Sequence, residues 1–584
     1  MTSHHASAAA ARPRADARPE PDRLTGGEAL VRALAAHGVT RAFGIPGTHN
    51  LEIYRHLPAY GVAHVAPRHE QGAGYAADAY ARVTGTPGVA ITTTGPALLN
   101  IAAAVGQAYS DSVPLLVISP GMPLRHPRQS TGLLHEMRSQ SEALRNVAAF
   151  SHRVSSVAEI GAAVARAFTL FREERPRPAH IEIPLDLLEA TEAAGPLRVA
   201  PPAAPRLPEA AQLTEAAALL ARAERPALVL GGGARGAAPQ CLALAEKLAA
   251  PVATTANGKA IVDEHHPLSL GVSLHSPAVQ KWLTTRDVVL AVGTELAESD
   301  TWTTELPPFH GQLIRVDLDP AQMYAAVPAD VPLVGDAKAT LEALIATAPG
   351  PVPHHTPTPP NTPTPHHTPA TTETTADATT EATTETTADA TTEAAALKAT
   401  RDDESRARDA HWLPYLEAIR GVLDPDAVVT SDSAQCCYYG ALPHLTQGPH
   451  ARYLHPTGFG TLGYALPAAI GAAAAHPDRQ VVALSGDGGL QFSIQELATA
   501  AELRRPLAVV VFDNSGYGEI RDEMKARGDA PLAVDHARVD LPALARAYGG
   551  HGATAHTPEE LGKLLTTALT TPAPTLIVVP EESA

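Results

Sequence analysis

Cysteine is nearly absent: 3 in 584 residues, two of them adjacent at Cys436 and Cys437. So few thiols exclude a disulfide framework and fit a reducing cytosol, so a cytoplasmic location is expected. Basic charge is also short, with 44 Lys and Arg against 62 Asp and Glu and a formal charge of −18. So acidic a chain is not expected to take nucleic acid or an anionic membrane surface as its principal partner. Long apolar runs are missing; one of the most apolar stretches, residues 507–512, falls well short of the ~20 residues that span a bilayer. The first 22 residues lack the apolar segment of a signal peptide and show no hydrophobic periodicity, so residues 1–22 read as a disordered extension.

The length suffices for three or four domains of ~150 residues. A low-complexity stretch divides it. His/Pro/Thr runs after residue 350 pass into a Thr/Glu/Ala tract in which TTETTADATTEA at 371–382 recurs identically at 383–394. With almost no large apolar side chain, this stretch is expected to be a structureless linker over 348–408. The His pairs at 354–355 and 366–367 lack Cys or carboxylates at ligand spacing and are not read as a metal site. Elsewhere short Val/Ile/Leu runs such as VAITTTG (89–95), PALVLGGG (226–233) and QVVALSGDGG (480–489) alternate with Ala/Leu-rich amphipathic segments. Runs buried on both faces and separated by helices indicate parallel sheets covered on two sides. The expected class is α/β, three doubly wound parallel-sheet domains at 23–192, 208–347 and 409–584.

Chemistry concentrates at two strand ends. SGDGG (485–489) and Asp513–Asn514 each follow an apolar run, at the carboxyl edge where open α/β sheets bind ligands. Asp487 and Asn514 stand 27 residues apart, enough for a strand, a crossover helix and a return strand. Two neighbouring strand ends then present a carboxylate and a carboxamide oxygen to one point, a set that suits Mg²⁺. Gly486, Gly488 and Gly489 let a diphosphate approach the backbone.

This pattern, with VVVFDNSGYGEI, resembles the thiamine diphosphate motif of the acetolactate synthase and pyruvate decarboxylase family. The resemblance runs from about residue 24 to 580 and implies pyrimidine-binding, central and diphosphate-binding domains in that order. It also implies Mg²⁺ ligands at Asp487, Asn514 and the Gly516 carbonyl, with Tyr517 in the same loop. Asp513 stands where the family shows a first Asn. PRHEQGAGYAADAYAR (67–82) is similar to the segment carrying the glutamate that activates the cofactor, which falls on Glu70. HPTGFGTLGYALPAAIG (455–471) is similar to the segment whose glycine carbonyl meets the cofactor amino group and whose bulky aliphatic residue bends the cofactor, implying Gly460 and Leu462. Family members build each site between subunits, so a homodimer or homotetramer is expected.

The family's cofactor machinery serves decarboxylases, carboligases and oxidases alike. GLLHEMRSQ (132–140) falls where acetolactate synthases carry Phe-Gln-Glu, so His135 replaces the Gln and could supply the proton that releases an aldehyde. A surface or helix-capping role is the alternative. GIPGTHNLEIYRHL, LVISPGMPLRH and LIRVDLDP are similar to the family's 5-guanidino-2-oxopentanoate decarboxylases. A cationic substrate tail needs acidic partners, for which Glu519, Glu298 and Asp300 are candidates; Glu519 could instead pair with Arg521 or Arg527. GGGARG (231–236) follows a strand in the central domain, but glycines alone are a weak nucleotide signal and a flavin is not expected. The expected activity is decarboxylation of a 2-oxo acid, with acetolactate-type carboligation as the rival and a non-catalytic thiamine-fold subunit as the third reading.

Overall fold

In the computed structural model the described residues are 23–347 and 376–581, except 127–129, 198, 200, 201, 203, 307 and 326, with side chains of the second span from 387 onward. The expectation of a disordered extension at 1–22, and that of a linker over 348–375, lie outside the described residues.

Three six-stranded sheets carry the fold, and every strand pair within them is parallel. In the first, the order is Ala63–Val65, Arg41–Gly44, Gly88–Ile91, Leu115–Gly121, Ala179–Pro184, Phe150–Arg153. The chain winds outward one way from Arg41–Gly44 and the other way from Gly88–Ile91, so the reversal falls between these two strands. In the third sheet Val428–Ser431 and Val481–Gly486 flank the corresponding reversal, followed outward by Leu507–Asp513. Such reversal points open the crevices in which α/β sheets hold ligands. The central strands, Leu115–Ile118 and Val509–Val511 among them, are fully buried, as helices on both faces require.

The first and third sheets share a core. Helix Glu70–Thr84 starts at His69, whose ring accepts the Gln71 N–H at 3.1 Å, and stops at Gly85 with φ +70°. Its run of Gly and Ala lets it lie against helix Ala465–Ala475 almost backbone to backbone: a Cβ added at Gly471 would sit 2.0 Å from the Ala76 carbonyl oxygen. The buried carboxylate of Glu496 accepts the backbone N–H groups of Arg68 and His69 at 3.0 Å, tying the start of the first helix to the third sheet.

The stretch before the third domain departs from expectation. Residues Ala376–Asp409 form one helix, and its second half is seated on the central domain. Ala390, Ala394, Leu397 and Arg401 recur at spacings of four, three and four, one face of a helix. Ala394 is 1% exposed among Leu270, Leu283 and Leu313. Glu393 pairs with Arg286 at 3.1 Å, Lys398 donates to the Glu264 carbonyl at 2.9 Å, and Arg401 donates to that of Leu270 at 2.7 Å. Alanine stripes plus polar anchors stabilise a helix whose composition reads as a linker. Among the described residues, no helix is long and apolar enough to cross a membrane.

Candidate active site

At the carboxyl edge of the third sheet, strand Val481–Gly486 delivers Asp487 and strand Leu507–Asp513 delivers Asn514. Asp487 Oδ1 accepts the Asn514 N–H at 3.3 Å, so the two turns are in contact. Asn514 Oδ1 is buried and has no hydrogen-bond partner among the described residues. Ser515, at φ +59°, turns the chain sharply and is held by Asp513, whose Oδ1 accepts the Ser515 N–H at 2.9 Å. A Cβ on Gly488 would lie 3.1 Å from the Gly516 carbonyl oxygen and 3.0 Å from the Tyr517 ring, so glycine leaves this cradle open. Burial, then the neighbouring Asp513, pushes the Asp487 carboxyl up to about 6. Glu581 is likewise pushed up to about 6 by burial, with Asp487 and Asp513 adding to it.

Crowded carboxylates beside an unsatisfied amide oxygen form an all-oxygen set that a hard cation would relieve. No cluster of three His, Cys, Asp or Glu side chains able to hold a metal occurs among the described residues. The set here needs none, because it has one carboxylate, one carboxamide and one backbone carbonyl.

Asp432, which the sequence reading did not single out, braces the cradle from the neighbouring strand. It is 1% exposed and accepts the Gly463 N–H at 3.0 Å and the Ser485 hydroxyl at 3.1 Å. Its carboxyl is pushed up to about 6 by burial. A polar SDS at 431–433, where strand 428–431 ends, was the available signal. Gly463 ends the turn that contains Gly460, at φ +61°, and Leu462, which is half-buried. Thr461 donates its hydroxyl to Gln107 of the first domain at 3.0 Å.

Glu519 corrects one alternative. It pairs with neither Arg521 nor Arg527; Arg521 binds Asp535 at 2.8 Å and Arg527 lies 3.8 Å from Glu523. Instead Glu519 accepts from the hydroxyls of Tyr438 and Tyr439, both at 2.9 Å, and from Gln435 Nε2 at 3.0 Å. Tyr438 and Tyr439 sit on a π-helical turn, Cys436–Ala441, which Gln435 immediately precedes, a feature frequent at functional sites. A cavity of about 480 Å³, lined by Gln435, Asn514, Gly518, Arg408 and Glu581, adjoins them. Glu298 and Asp300 belong elsewhere. Asp300 lines a second cavity of about 310 Å³, with Gly231–Gly233 and Asp317, and accepts the Ala256 N–H at 2.9 Å. Burial pushes its carboxyl up to about 7. Glu298 is exposed, near Thr304.

The first domain holds the other candidates. Glu70 opens its helix and accepts from Asn100 Nδ2 at 2.9 Å, on helix Pro96–Ser110. His135 is no helix cap: at φ +61° in a loop, its Nδ1 is hydrogen-bonded to the Thr94 hydroxyl at 3.0 Å. Thr94 is in turn bonded to His49 Nδ1 at 2.6 Å. His49 escaped the sequence reading because the partners lie 41 and 45 residues away from Thr94. Among the described residues no contact joins Glu70 to Asp487 or Asn514 within one chain.

Comparison with known proteins finds a match in each of the three domains. Models of the thiamine pyrophosphate enzyme N-terminal TPP binding domain, central domain and C-terminal TPP binding domain match residues 24–143, 213–344 and 435–579. A "Probable 2-ketoarginine decarboxylase" of Pseudomonas aeruginosa is 41% identical over 528 residues, 90% of this chain and 88% of the relative. The acetolactate synthase large subunit of Parasynechococcus marenigrum is 32% identical over 577 residues, covering 96% and 88%. The acetolactate synthase isozyme 2 large subunit of Escherichia coli is 30% identical over 572 residues, 95% of each.

Proposed function

The chain belongs to the thiamine pyrophosphate enzymes, and from that premise we propose that it uses thiamine diphosphate and Mg²⁺ to decarboxylate a 2-oxo acid, 5-guanidino-2-oxopentanoate, to the aldehyde. The observation that carries the cofactor part is the buried, partnerless Oδ1 of Asn514 beside Asp487. In this reading Asp487, Asn514 Oδ1 and the Gly516 carbonyl hold the cation, and Gly486, Gly488, Gly489 and Tyr517 line the diphosphate. Glu70 holds the ring nitrogen of the pyrimidine, Gly460 offers its carbonyl to the amino group, and Leu462 supports the ring system. Bound thiamine diphosphate supplies a carbon nucleophile that adds to the keto group and takes up the electrons left by CO₂.

The chain's own groups then decide the outcome. The substrate carbon that has lost CO₂ must gain a proton to leave as an aldehyde, and His135, fixed at the reversal point of the first sheet, serves as donor. A carboxylate has about four acceptor positions, and Glu519 uses three on Gln435, Tyr438 and Tyr439. The remaining one, on a preorganised group, suits a guanidinium tail. The relative named for 2-ketoarginine supports this substrate.

Glu70 and the Asp487–Asn514 pair, which share no contact within one chain, support a homodimer or larger assembly with sites between subunits. Exposed apolar side chains beside them, Leu99 at 54% and Phe459 at 52%, support it further. A cytoplasmic location fits such an enzyme. Carboligation to a 2-hydroxyketone is the second reading, favoured by acetolactate synthases that align over 95% or more of the chain. Incubation with a panel of 2-oxo acids, reading CO₂ and organic product, separates them. Aldehyde from the guanidino substrate supports the proposal, hydroxyketone the second reading, and no turnover neither.

A further inference from the structure

His49 and His135 reach one hydroxyl from two loops far apart in sequence, and the fold holds both loops in place. His49 follows strand Arg41–Gly44. Its neighbour Asn50 is fully buried, donates to the Ile45 and Thr92 carbonyls at 3.0 and 3.1 Å, and accepts the Gly47 N–H at 2.8 Å. The His135 loop is closed by Glu136, which accepts the N–H groups of Thr131 and Gly132 at 2.8 Å. It presses so near the start of helix Pro96–Ser110 that a Cβ on Gly95 would lie 2.6 Å from the His135 carbonyl oxygen. Thr94, fully buried, stands between the two rings, whose centres are 5.4 Å apart. The strands that lead to His49 and Thr94, Arg41–Gly44 and Gly88–Ile91, flank the reversal of the first sheet, and Thr94 runs straight into the helix whose Asn100 holds Glu70. Asn100 lies four residues into that helix from Pro96, roughly 6 Å along its axis.

A hydroxyl has one proton and can give it to only one of two facing ring nitrogens. When His49 Nδ1 takes the Thr94 proton, the Thr94 oxygen is left to accept from His135 Nδ1–H. We propose that His49 is a positioning residue, which through the Thr94 hydroxyl keeps a proton on His135 Nδ1 and so makes His135 Nε2 the nitrogen that protonates the substrate carbon. The proposal rests on the decarboxylase reading above. Each turnover consumes one proton: the His135 Nε2–H bond breaks as the new C–H bond forms, the C–C bond to the carboxylate having already broken to release CO₂. His135 thus donates as the imidazolium, protonated on both nitrogens, and is left as the neutral Nδ1–H ring; a hydronium ion from solvent restores the Nε2 proton after the aldehyde leaves. Burial, together with the facing His135, lowers the pKa of His49 and favours the neutral, proton-accepting form.

His49→Leu removes the acceptor, whereas His49→Asn keeps one near the Nδ1 position without a titrating ring. With 5-guanidino-2-oxopentanoate, His49→Leu is expected to lower aldehyde formation about 10- to 100-fold, within the usual range for a misplaced acid. Oxidant-coupled turnover with dichlorophenolindophenol, which intercepts the substrate carbon before protonation, should stay within about twofold of the unaltered protein. His49→Asn should restore most of the aldehyde yield, and Thr94→Val should abolish the difference between the two His49 variants. Equal loss of both turnovers, or no rescue by asparagine, would overturn the proposal. An independent readout is the ¹⁵N shift pair of His135 in the cofactor-free protein: His49→Leu and Thr94→Val should move it away from the Nδ1–H tautomer, and unchanged shifts would also overturn it. A protein that decarboxylates no 2-oxo acid would defeat the proposed function, while the ¹⁵N shifts would still decide whether His49 sets the tautomer.

Discussion

Tyr464 donates its hydroxyl to Asp78 at 2.6 Å, across the junction between the first and third sheets. Both side chains are fully buried, and Asp78 also pairs with Arg82 at 2.8 Å. Arg82 in turn bonds Asp111 at 2.6 Å, and Asp111 accepts the N–H groups of Thr457 and Gly458 in the loop leading to Gly460. A charge network thus fastens helix Glu70–Thr84 and the loop before Gly460 to a common frame. Tyr464→Phe leaves a buried carboxylate short of a donor and is expected to cost about 1–3 kcal/mol. Calorimetry of the cofactor-free protein should show a lower midpoint; an unchanged one would deny the clamp any energetic role.

The proposed cation site makes a pH prediction. The ordinary Asp value is 3.8, and in the fold the Asp487 carboxyl is pushed up to about 6. The folded state therefore binds this proton more tightly than the unfolded state, so stability from this group is present below pH ~4 and lost as pH rises through 6. Relative to Asp487→Asn, the cofactor-free protein should become progressively less stable between about pH 4 and 6. Denaturant midpoints that run parallel across this window would contradict the assignment. The same variant should lose thiamine diphosphate on gel filtration in Mg²⁺.

Glu70→Gln is expected to cut turnover roughly 10²- to 10⁴-fold, the scale for losing a positioned acid or base. Cofactor retention should barely change, because the proposed cation and diphosphate contacts come from another domain. Near-normal turnover would remove Glu70 from the mechanism.

Glu519→Gln keeps the shape of a side chain bonded to Gln435, Tyr438 and Tyr439 but removes its charge. Use of the guanidino substrate should weaken by about 2–5 kcal/mol in kcat/KM. A neutral branched 2-oxo acid should be used as well or better. Equal loss on both substrates would assign Glu519 to the loop alone.

The packed half of the long helix leads to a stability prediction. Ala394→Asp places a charge without a partner where a 1% exposed methyl now sits and is expected to cost about 3 kcal/mol or more. Removing residues 371–382, one copy of the repeat, precedes the packed face and should leave the thermal midpoint within a degree or two. Equal losses from the two changes would show that the upstream copy is also packed.

Sequence alone determined the class of fold and the strand ends that carry chemistry. Short continuous apolar runs ending in Gly, Asp and Asn, alternating with helical patterns, indicate buried parallel strands. The spacing of Asp487 and Asn514 then places two side chains at one sheet edge. Side-chain pairing across long sequence separations was not legible. Glu519 meets Tyr438 and Tyr439 from 81 and 80 residues away, and nothing local in its helix points to them. The same holds for Asp432 under Gly463 and for His49 beside Thr94. The packed part of helix Ala376–Asp409, from residue 387 on, was not legible for the opposite reason: small, polar residues give little hydrophobic contrast, and only docking on the central domain reveals which alanines are buried. Local pattern sets backbone conformation because its forces act within a few residues. Burial, pairing and proton affinity were decided by the tertiary structure, because they depend on groups that only the folded chain brings within hydrogen-bonding distance.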